Sequence, residues 1–323
     1  MENNLNDVSA KIAKLLNEKK AAREFQLRRH TTWNEIYELY RNKPKTNRLT
    51  QRQAVNIPLL KETIKTIISK VDDAPSVNWA EKSGDELKEL IYQQLWDDNY
   101  MRVSLELKDV IDKKNVLSYG ISSKMLNLSR KGINIDVLDT YDVIYDPQMN
   151  PLDVETARFI IRQNIFKPLR DILVDDRYTQ SGKDKLKEWL ASDKGIIQSG
   201  KNKEAFEKKQ ERLRSMGLNH EQFAFFAGGD VVVNLSEHYT SIWDVKAKKF
   251  ERRVIVYADD SIELSDDSLM ECIGMDMWPI EPWYEDPETN DIYPDGVGDL
   301  VLTPNKIVNV WFSQQVENRT LQN

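Results

Sequence analysis

The sequence predicts an α+β fold, and three observations support this prediction. Apolar residues recur at helical spacing through much of the first 119 residues. Short runs of partly alternating apolar residues follow between residues 120 and 166. Period-two alternation then returns after residue 230, downstream of a charged helical stretch. The 323-residue chain is long enough for two domains, and its 40% hydrophobic content is enough to build their cores.

Residues 1–50 are predicted to form a basic helical arm. Apolar residues such as Leu15, Trp33 and Ile36 recur at helical spacing among many charges, which indicates one or two amphipathic helices. Residues 1–52 contain twelve Lys or Arg and six Asp or Glu, so this part of the chain carries a local positive charge.

Residues 51–167 are predicted to form an α/β region. Asn56 is placed to cap a helix with Pro58 in its first turn, and a second helical region runs from Gly84 to Tyr119 and ends at Gly120. Apolar stripes on both predict helices that pack against a sheet. The sheet is predicted from "GISSKMLNL", "GINIDVLDT", "YDVIYDP" and "ETARFIIRQNIF".

The second half of the chain is divided into four segments. Residues 168–229 are predicted to be helical from Pro168 onward, and Gly217 is predicted to end the last charged helix. Residues 230–265 are predicted to form an antiparallel β unit with a turn at "ADDS". Residues 266–303 are predicted to be an acidic, aromatic loop. The late aromatic residues, among them Trp278, Tyr293 and Trp311, are predicted to serve core or interface packing, because their neighbours are acidic and not basic as in base-stacking surfaces. The last segment, residues 304–323, is a helix that starts after Pro304.

Composition excludes several classes of protein. A net charge of -7 argues against a protein that wraps nucleic acid, because such binding needs a clustered basic face. No apolar run is long enough to cross a bilayer, so no membrane contact is predicted. His30, His220, His238 and the one cysteine, Cys272, have no metal-ligand spacing, and no phosphate loop or nucleophile elbow occurs. The sequence therefore predicts no cofactor.

Acidic residues leave two questions open. Asp139, Asp142 and Asp146 lie close together in sequence, as metal-binding carboxylates of nucleases do, yet aspartates also favour the turns between strands. From Val254 to Asn305 there are fourteen Asp or Glu and no Lys or Arg. This stretch is interpreted as a solvated face, with a calcium site or a DNA-repelling face as alternatives; the calcium-loop pattern itself is absent.

The charge distribution suggests a subunit interface. The basic helix that contains Lys201 and Lys203 could pair with the acidic stretch of a neighbouring subunit. The candidate interface residues are Lys208, Lys209, Arg212, Arg214, Asp259, Asp260 and Glu263.

The order of several motifs resembles the portal proteins of tailed bacteriophages, especially those of short-tailed phages. The motifs are "VNIPLLKETIKTIISKVDDAPSVNW", "NVLSYGISSKM", "VLDTYDVIYDPQMNPLDVETARFIIRQ", "LSEHYTSIWD", "RRVIVYADDSIEL" and "MWPIEPWYEDPETNDIYPDGVGDLVLTPNKIVNVWFSQQVENR". Together they cover about residues 50 to 320.

This resemblance implies a portal architecture. Residues 51–167 would be the mixed α/β wing, 168–229 helical material leading to the stem, 230–265 a small antiparallel β clip, and 304–323 the start of the return stem helix. The family continues into a tunnel loop, more wing and a crown, so the chain is expected to be C-terminally incomplete.

The resemblance also implies a function without enzymatic activity. Portals are rings of twelve subunits at one capsid vertex, in the virion, assembled in the host cytoplasm. They conduct double-stranded DNA during packaging and ejection without sequence-specific binding. Their partners are the terminase large subunit, which docks at the clip, the major capsid and scaffold proteins, and a head-tail adaptor. The high acidic content is typical of a conduit that repels phosphates.

The sequence allows two alternatives. One is a divalent-metal DNA-processing enzyme that uses Asp142 and Asp146. The other is a non-enzymatic capsid or tail adaptor, which differs from a portal in where it assembles.

Overall fold

The computed structural model confirms the α+β fold class. It describes residues 2–42, 56–71, 86–129, 132–215, 231–244, 248–274 and 276–321. The helices are α1 (Glu2–Arg41), α2 (Leu59–Val71), α3 (Glu86–Arg102), α4 (Leu105–Tyr119), α5 (Leu169–Val174), α6 (Gln180–Leu190), α7 (Asp193–Ser215), α8 (Leu269–Ile273) and α9 (Val297–Leu321). The strands are β1 (Ile121–Ser129), β2 (Gly132–Leu138), β3 (Val143–Tyr145), β4 (Phe159–Pro168), β5 (Val232–Asp244), β6 (Lys249–Ala258), β7 (Ile262–Ser268) and β8 (Ile280–Tyr284).

The chain divides into two compact units, and each contains one antiparallel sheet. The first unit gathers residues 1–31, 141–278 and 288–292, and holds the five-stranded sheet β3-β4-β5-β6-β7. The second unit gathers residues 32–140, 279–287 and 293–323, and holds the three-stranded sheet β2-β1-β8.

The sheet of the first unit is covered by helices on both faces. Because strand side chains alternate between faces, Val233, Leu235 and Val256 point to one side, where they form a core with residues of α5 and α6 such as Ile172 and Leu186. On the other side, Leu15 of α1 packs against Ile255 and Tyr257, and Ala22 packs against Ile144 and Ile161.

Polar contacts at helical spacing fix α1 to this sheet. The Lys11 Nζ lies 2.5 Å from an Asp266 carboxylate oxygen, and the Gln26 Nε2 donates to the Val143 carbonyl at 2.8 Å. Between them, the buried Lys19 Nζ donates to Ser236 Oγ at 3.0 Å and to Asp260 Oδ1 at 2.6 Å. The predicted helical arm is thus one continuous helix whose first part completes the core of the first unit.

The strands predicted between residues 231 and 265 are confirmed, with the turn at Asp259 and Asp260. They do not stand alone, because β5 pairs with β4 from Pro168↔Val232 to Phe159↔Thr240. The predicted α/β region and the predicted β clip therefore contribute strands to one sheet. Gly217 and His220 lie outside the described residues.

The second unit corrects the prediction for residues 266–303, which are not wholly a loop. Residues 280–284 form β8, which pairs with β1 from Ile121↔Tyr284 to Met125↔Ile280. Pro282 lies within β8, and proline is tolerated there because β8 is an edge strand of its sheet. In the first unit, residues 269–273 form the short helix α8.

The last helix begins at Val297, seven residues before Pro304, so Pro304 lies inside the helix and not ahead of it as predicted. Asp299, the third residue of the helix, accepts a hydrogen bond from the Gly296 N–H through its Oδ2 at 2.9 Å, as the third residue does in a capping box. The helix therefore starts between Gly296 and Gly298.

Side chains of α9 cap α2. Asn305 Oδ1 accepts from the Leu60 N–H at 3.1 Å, and Asn309 Oδ1 accepts from the Ile57 N–H at 2.7 Å. The Asn56 side chain, predicted to be the cap, accepts instead from Asn309 Nδ2 at 2.7 Å, and α2 begins three residues later. The orphan donors at the start of α2 are thus satisfied from a helix that is distant in sequence.

Three glycines allow the end of α4 and the start of α9 to meet backbone to backbone. Gly120 ends α4 with φ 81°, as predicted, and its N–H donates to the Val116 carbonyl. A Cβ at Gly120 would lie 2.1 Å from the Pro294 oxygen, and one at Gly298 would lie 2.1 Å from the Ser118 oxygen. Only hydrogen fits at these positions.

Replacing Gly298 with alanine is therefore expected to lower the free energy of unfolding by about 1–3 kcal/mol, because backbone must move to admit the methyl group. The control is Gly200→Ala in α7, where the added Cβ meets open space. That change should raise the free energy of unfolding by about 0.5–1 kcal/mol through helix propensity. Denaturant unfolding measures both, and equal effects would contradict the packing described.

Candidate functional site

The basic residues predicted for the interface are engaged within the chain. Lys208 Nζ lies 2.5 Å from Glu204 Oε1, and the Arg214 Nη2 donates to Gln210 Oε1 at 3.2 Å. The Arg212 guanidinium lies 4.0 Å from the centre of the Tyr141 ring. Lys209 forms an ion pair with Asp142 and also donates to the Asn164 carbonyl at 3.0 Å.

The acidic residues of the predicted interface also have partners in the first unit. Asp259 Oδ1 accepts from Asn202 Nδ2 at 2.7 Å, Asp260 binds Lys19, and Glu263 Oε2 lies 3.3 Å from Lys11 Nζ. Helical geometry explains why Lys209 binds within the chain. It lies on the inward-packing face of α7, which also carries Asn202, Phe206 and Leu213. The pairing between subunits stays a prediction without a structural observation in its favour.

The carboxylates considered for a metal site bind protein cations instead. Buried Asp142 accepts from Asn164 Nδ2 at 2.9 Å in addition to its Lys209 pair. Asp146 forms two hydrogen bonds with the Arg158 guanidinium, each 2.7 Å long. Within the described ranges, no group of three or more His, Cys, Asp or Glu is placed to hold a metal ion.

The Asp146 pair joins the end of β3 to the start of β4. Burial raises the pKa of the Asp146 carboxyl, but hydrogen bonds from the Arg158 side chain and from the Gln148 and Arg158 amides outweigh burial, so the pKa lies below its usual value. These contacts give Asp146 a structural role at this corner of the sheet.

The histidines that the structure describes lie in the first unit and pack against aromatic rings. The His30 ring lies 5.1 Å from Tyr141, and the fully buried His238 ring lies 5.6 Å from Phe159. Burial lowers the pKa of His238, although Glu18 Oε2 lies 3.4 Å from its Nε2 and opposes that shift. These contacts place both rings in packing roles.

The late aromatic residues separate into two groups. Trp278 and Tyr293 are buried, and the Tyr293 ring lies 5.8 Å from Trp33, as expected for packing residues. Trp311 and Phe312 on α9 remain exposed.

The exposed residues of α9 form an apolar stripe. Leu300, Ile307 and Trp311 recur at a spacing that keeps them on one side of the helix, and each side chain is more than half exposed. The opposite side holds Leu302 and Asn305, which are buried against the rest of the second unit. Thus α9 has one face inside the subunit and one apolar face outside it.

A second apolar stripe lies on α3, which has no buried residue. Leu87, Leu90 and Leu95 are each more than half exposed, and Ile91 lies between them. The sequence predicted that this stripe packs against a sheet, but α3 packs against α4 and the side chains of its stripe are exposed. Periodicity showed that the stripe exists and could not show what covers it.

These two stripes are the candidate functional site. Contiguous exposed apolar patches are uncommon on monomers and mark interaction surfaces. Both stripes extend for about 20–25 Å, at 1.5 Å per residue along residues 87–101 and 300–316. Surfaces of matched length on two helices of one unit suit helix packing between protein chains.

No protein-family model matches this chain, and none of the curated proteins matches it. The resemblance to portals therefore rests on the order of the sequence motifs. Among the described residues, no helix is long and apolar enough to cross a membrane.

The Asp146–Arg158 pair predicts a pH-dependent stability. Because the Asp146 pKa is lower in the folded chain than in the unfolded one, the pair stabilises the fold above the ordinary pKa and is lost as the pH falls through the folded pKa. Asp146→Asn should lower the free energy of unfolding by about 1–3 kcal/mol at pH 7, and this difference from wild type should shrink below about pH 4.

The matched control is Asp171→Asn on α5, whose ion pair with Arg170 is exposed on both sides. An exposed pair contributes about 0–1 kcal/mol, so this variant should remain close to wild type at neutral pH. Denaturant unfolding at several pH values measures the free energy of unfolding of both variants. Equal losses for Asp146→Asn and Asp171→Asn would contradict a structural role for Asp146.

Proposed function

We propose that this chain is a subunit of a bacteriophage portal, a non-enzymatic ring at one capsid vertex through which double-stranded DNA is packaged and ejected. One structural observation carries the proposal: the second unit exposes two different apolar helix faces, on α3 and on α9. The order of portal-like motifs between residues 55 and 319 supplies the identity of the ring.

Two different faces favour a closed ring over a two-fold dimer. A two-fold interface uses one self-complementary patch, whereas a cyclic ring joins one patch of each subunit to a second patch of the next. In the proposed ring, the α3 stripe of one copy covers the α9 stripe of its neighbour. Each copy then buries both stripes, and none is left exposed.

The charge distribution supports a role as a DNA conduit. The net charge is -7, and the fourteen acidic residues between Val254 and Asn305 have no basic residue among them. A duplex that moves through an acidic channel is repelled at every register, whereas lysine and arginine clusters would hold its phosphates. In the proposed ring, double-stranded DNA passes through without sequence-specific binding, and the partner proteins supply the energy for its movement.

The partners follow from the portal assignment. The terminase large subunit, the major capsid and scaffold proteins and a head-tail adaptor are proposed to bind the assembled ring, which is located in the virion. The ring is proposed to contain twelve subunits. The alternative of a metal-dependent enzyme has no comparable observation, since Asp142 and Asp146 bind Lys209 and Arg158.

Ile307→Glu on α9 and Leu90→Glu on α3 should each prevent assembly, because each places a charge in an apolar interface. Negative-stain electron microscopy of the purified wild-type chain should show rings with a central hole wide enough for a DNA duplex. The variants should show single subunits while thermal unfolding by circular dichroism remains close to wild type.

The control is Val174→Glu on α5, an exposed apolar residue (80% exposed) that lies on neither stripe. This variant should form rings like the wild type. Rings formed equally by Ile307→Glu and Leu90→Glu would contradict the proposed interface, and a wild-type chain without rings would contradict the portal assignment.

A further inference from the structure

The β5–β6 hairpin extends beyond the sheet to which it belongs. β4 pairs with β5 only as far as Thr240, and β7 pairs with β6 only from Arg253 onward. Four cross-strand pairs continue past these points, from Ser241↔Arg252 to Asp244↔Lys249. We name residues 241–244 and 249–252, together with Lys248, the hairpin arm.

One face of the hairpin arm is anchored and the other is exposed. Ile242 packs against the core that contains Leu15 and Ile255. On the opposite face, the Trp243 and Phe250 rings meet edge to face across the strands at 5.1 Å. This contact stabilises the two-stranded arm, yet Trp243 is 50% and Phe250 67% exposed.

The end of the arm is basic. Lys248 lies at the turn and Lys249 at the start of β6, and both side chains are exposed. Because side chains alternate along a strand, Lys249 lies on the face opposite Phe250. Arg252 fixes the base of the arm to residues 276–278. Its guanidinium lies 4.7 Å from the Trp278 ring and donates to the Asp276 carbonyl at 2.9 Å. The arm therefore presents two rings and two lysines from a fixed base.

The same chain carries a surface of opposite charge. Residues 285–291, "EDPETND", contain four carboxylates and no basic residue, and residues 285–290 are all exposed. We name residues 285–291 the acidic loop. Partial burial raises the pKa of Glu285, and the like charges of Asp286 and Asp299 raise it further, against a hydrogen bond from the Val297 amide. Carboxylates that repel one another are stabilised by cations from outside the loop.

We propose that the hairpin arm of one copy docks on the acidic loop of the next copy. This inference rests on the proposed ring and adds a polar contact to the apolar contact between α3 and α9. Lys248 and Lys249 meet Asp286 and Glu288, while Trp243 and Phe250 are covered by the neighbouring chain. The partner is a second copy because the complementary charge lies on the same sequence. Arm and loop are different surfaces, as a head-to-tail contact requires.

The polar contact is proposed to determine how neighbouring copies align, and to contribute less to the affinity between them. Charge pairs at the rim of an interface steer association and exclude wrong pairings, whereas buried apolar residues carry most of the affinity. The arm–loop contact should accordingly weaken as ionic strength rises.

Charge exchange between the two surfaces tests the proposal. Variant A reverses the arm (Lys248→Glu with Lys249→Glu), and variant B reverses the loop (Asp286→Lys with Glu288→Lys). Each alone should raise the concentration needed for half-assembly by roughly tenfold at low salt, because like charges then face each other. In a 1:1 mixture, assembly should recover, since strict alternation of A and B places opposite charges at every contact.

Native mass spectrometry of the mixture should find equal numbers of the two variants in each assembled ring. Recovery in a chain that carries all four substitutions, but not in the mixture, would overturn the proposal by showing a contact within one chain. Unchanged assembly of A and B alone would also overturn it and would leave the ring itself intact. The control is Lys185→Glu with Lys194→Glu, which changes the charge equally at exposed helix positions and should assemble normally.

A second measurement does not depend on the variants. Carbodiimide joins a lysine to a carboxylate that it contacts, so it can link the arm directly to the loop. In a mixture of isotopically light and heavy wild-type chains, linked peptides should pair residues 248–249 of one label with residues 286–288 of the other. Rings without such peptides would refute the arm–loop contact alone, whereas a wild-type chain that stays monomeric would refute both the contact and the ring.

Discussion

The close contact between the end of α4 and the start of α9 determines the position of the candidate site. Gly120, Gly296 and Gly298 admit it because each of them has only hydrogen where another residue has a side chain. The contact fixes the first turn of α9 against α4, and Asn305 then binds the first turn of α2. The apolar stripe of α9 is left facing outward as a consequence, and α3, which leads directly into α4, shares the same support.

The first unit shows the opposite use of its helices. Charged residues of α1 and α7 point toward the sheet, where Lys19 meets Asp260 and Lys209 meets Asp142. Ion pairs of this kind link distant parts of the sequence within one subunit, and removing one partner would leave a buried charge unpaired. Among the described residues, the surfaces that we propose for assembly are therefore the apolar stripes of the second unit and the exposed hairpin arm, rather than the charged helix α7.

Sequence reasoning succeeded where local physics decides the structure. The β5–β6–β7 meander has alternating β-branched residues and a short turn, and Gly120 has the positive φ that ends a helix. The predictions were wrong where partners that are distant in sequence decide the structure. Pro279 and Pro282 argue against β8, which forms because β1 offers it an edge. Periodicity identified the stripe on α3 but not its exposure, and the positive charge of Lys209 suggested a surface position although Asp142 draws it inward.

The oligomeric state of the wild-type chain tests the central claim most directly. Sedimentation velocity over a wide range of protein concentration measures the mass of each species against the 37.7 kDa subunit. If α3 and α9 join successive copies into a closed ring, one large species should replace the single subunit, with little material between them and none beyond. A chain that remains a single subunit at every concentration, or a series that grows without limit, would contradict the account.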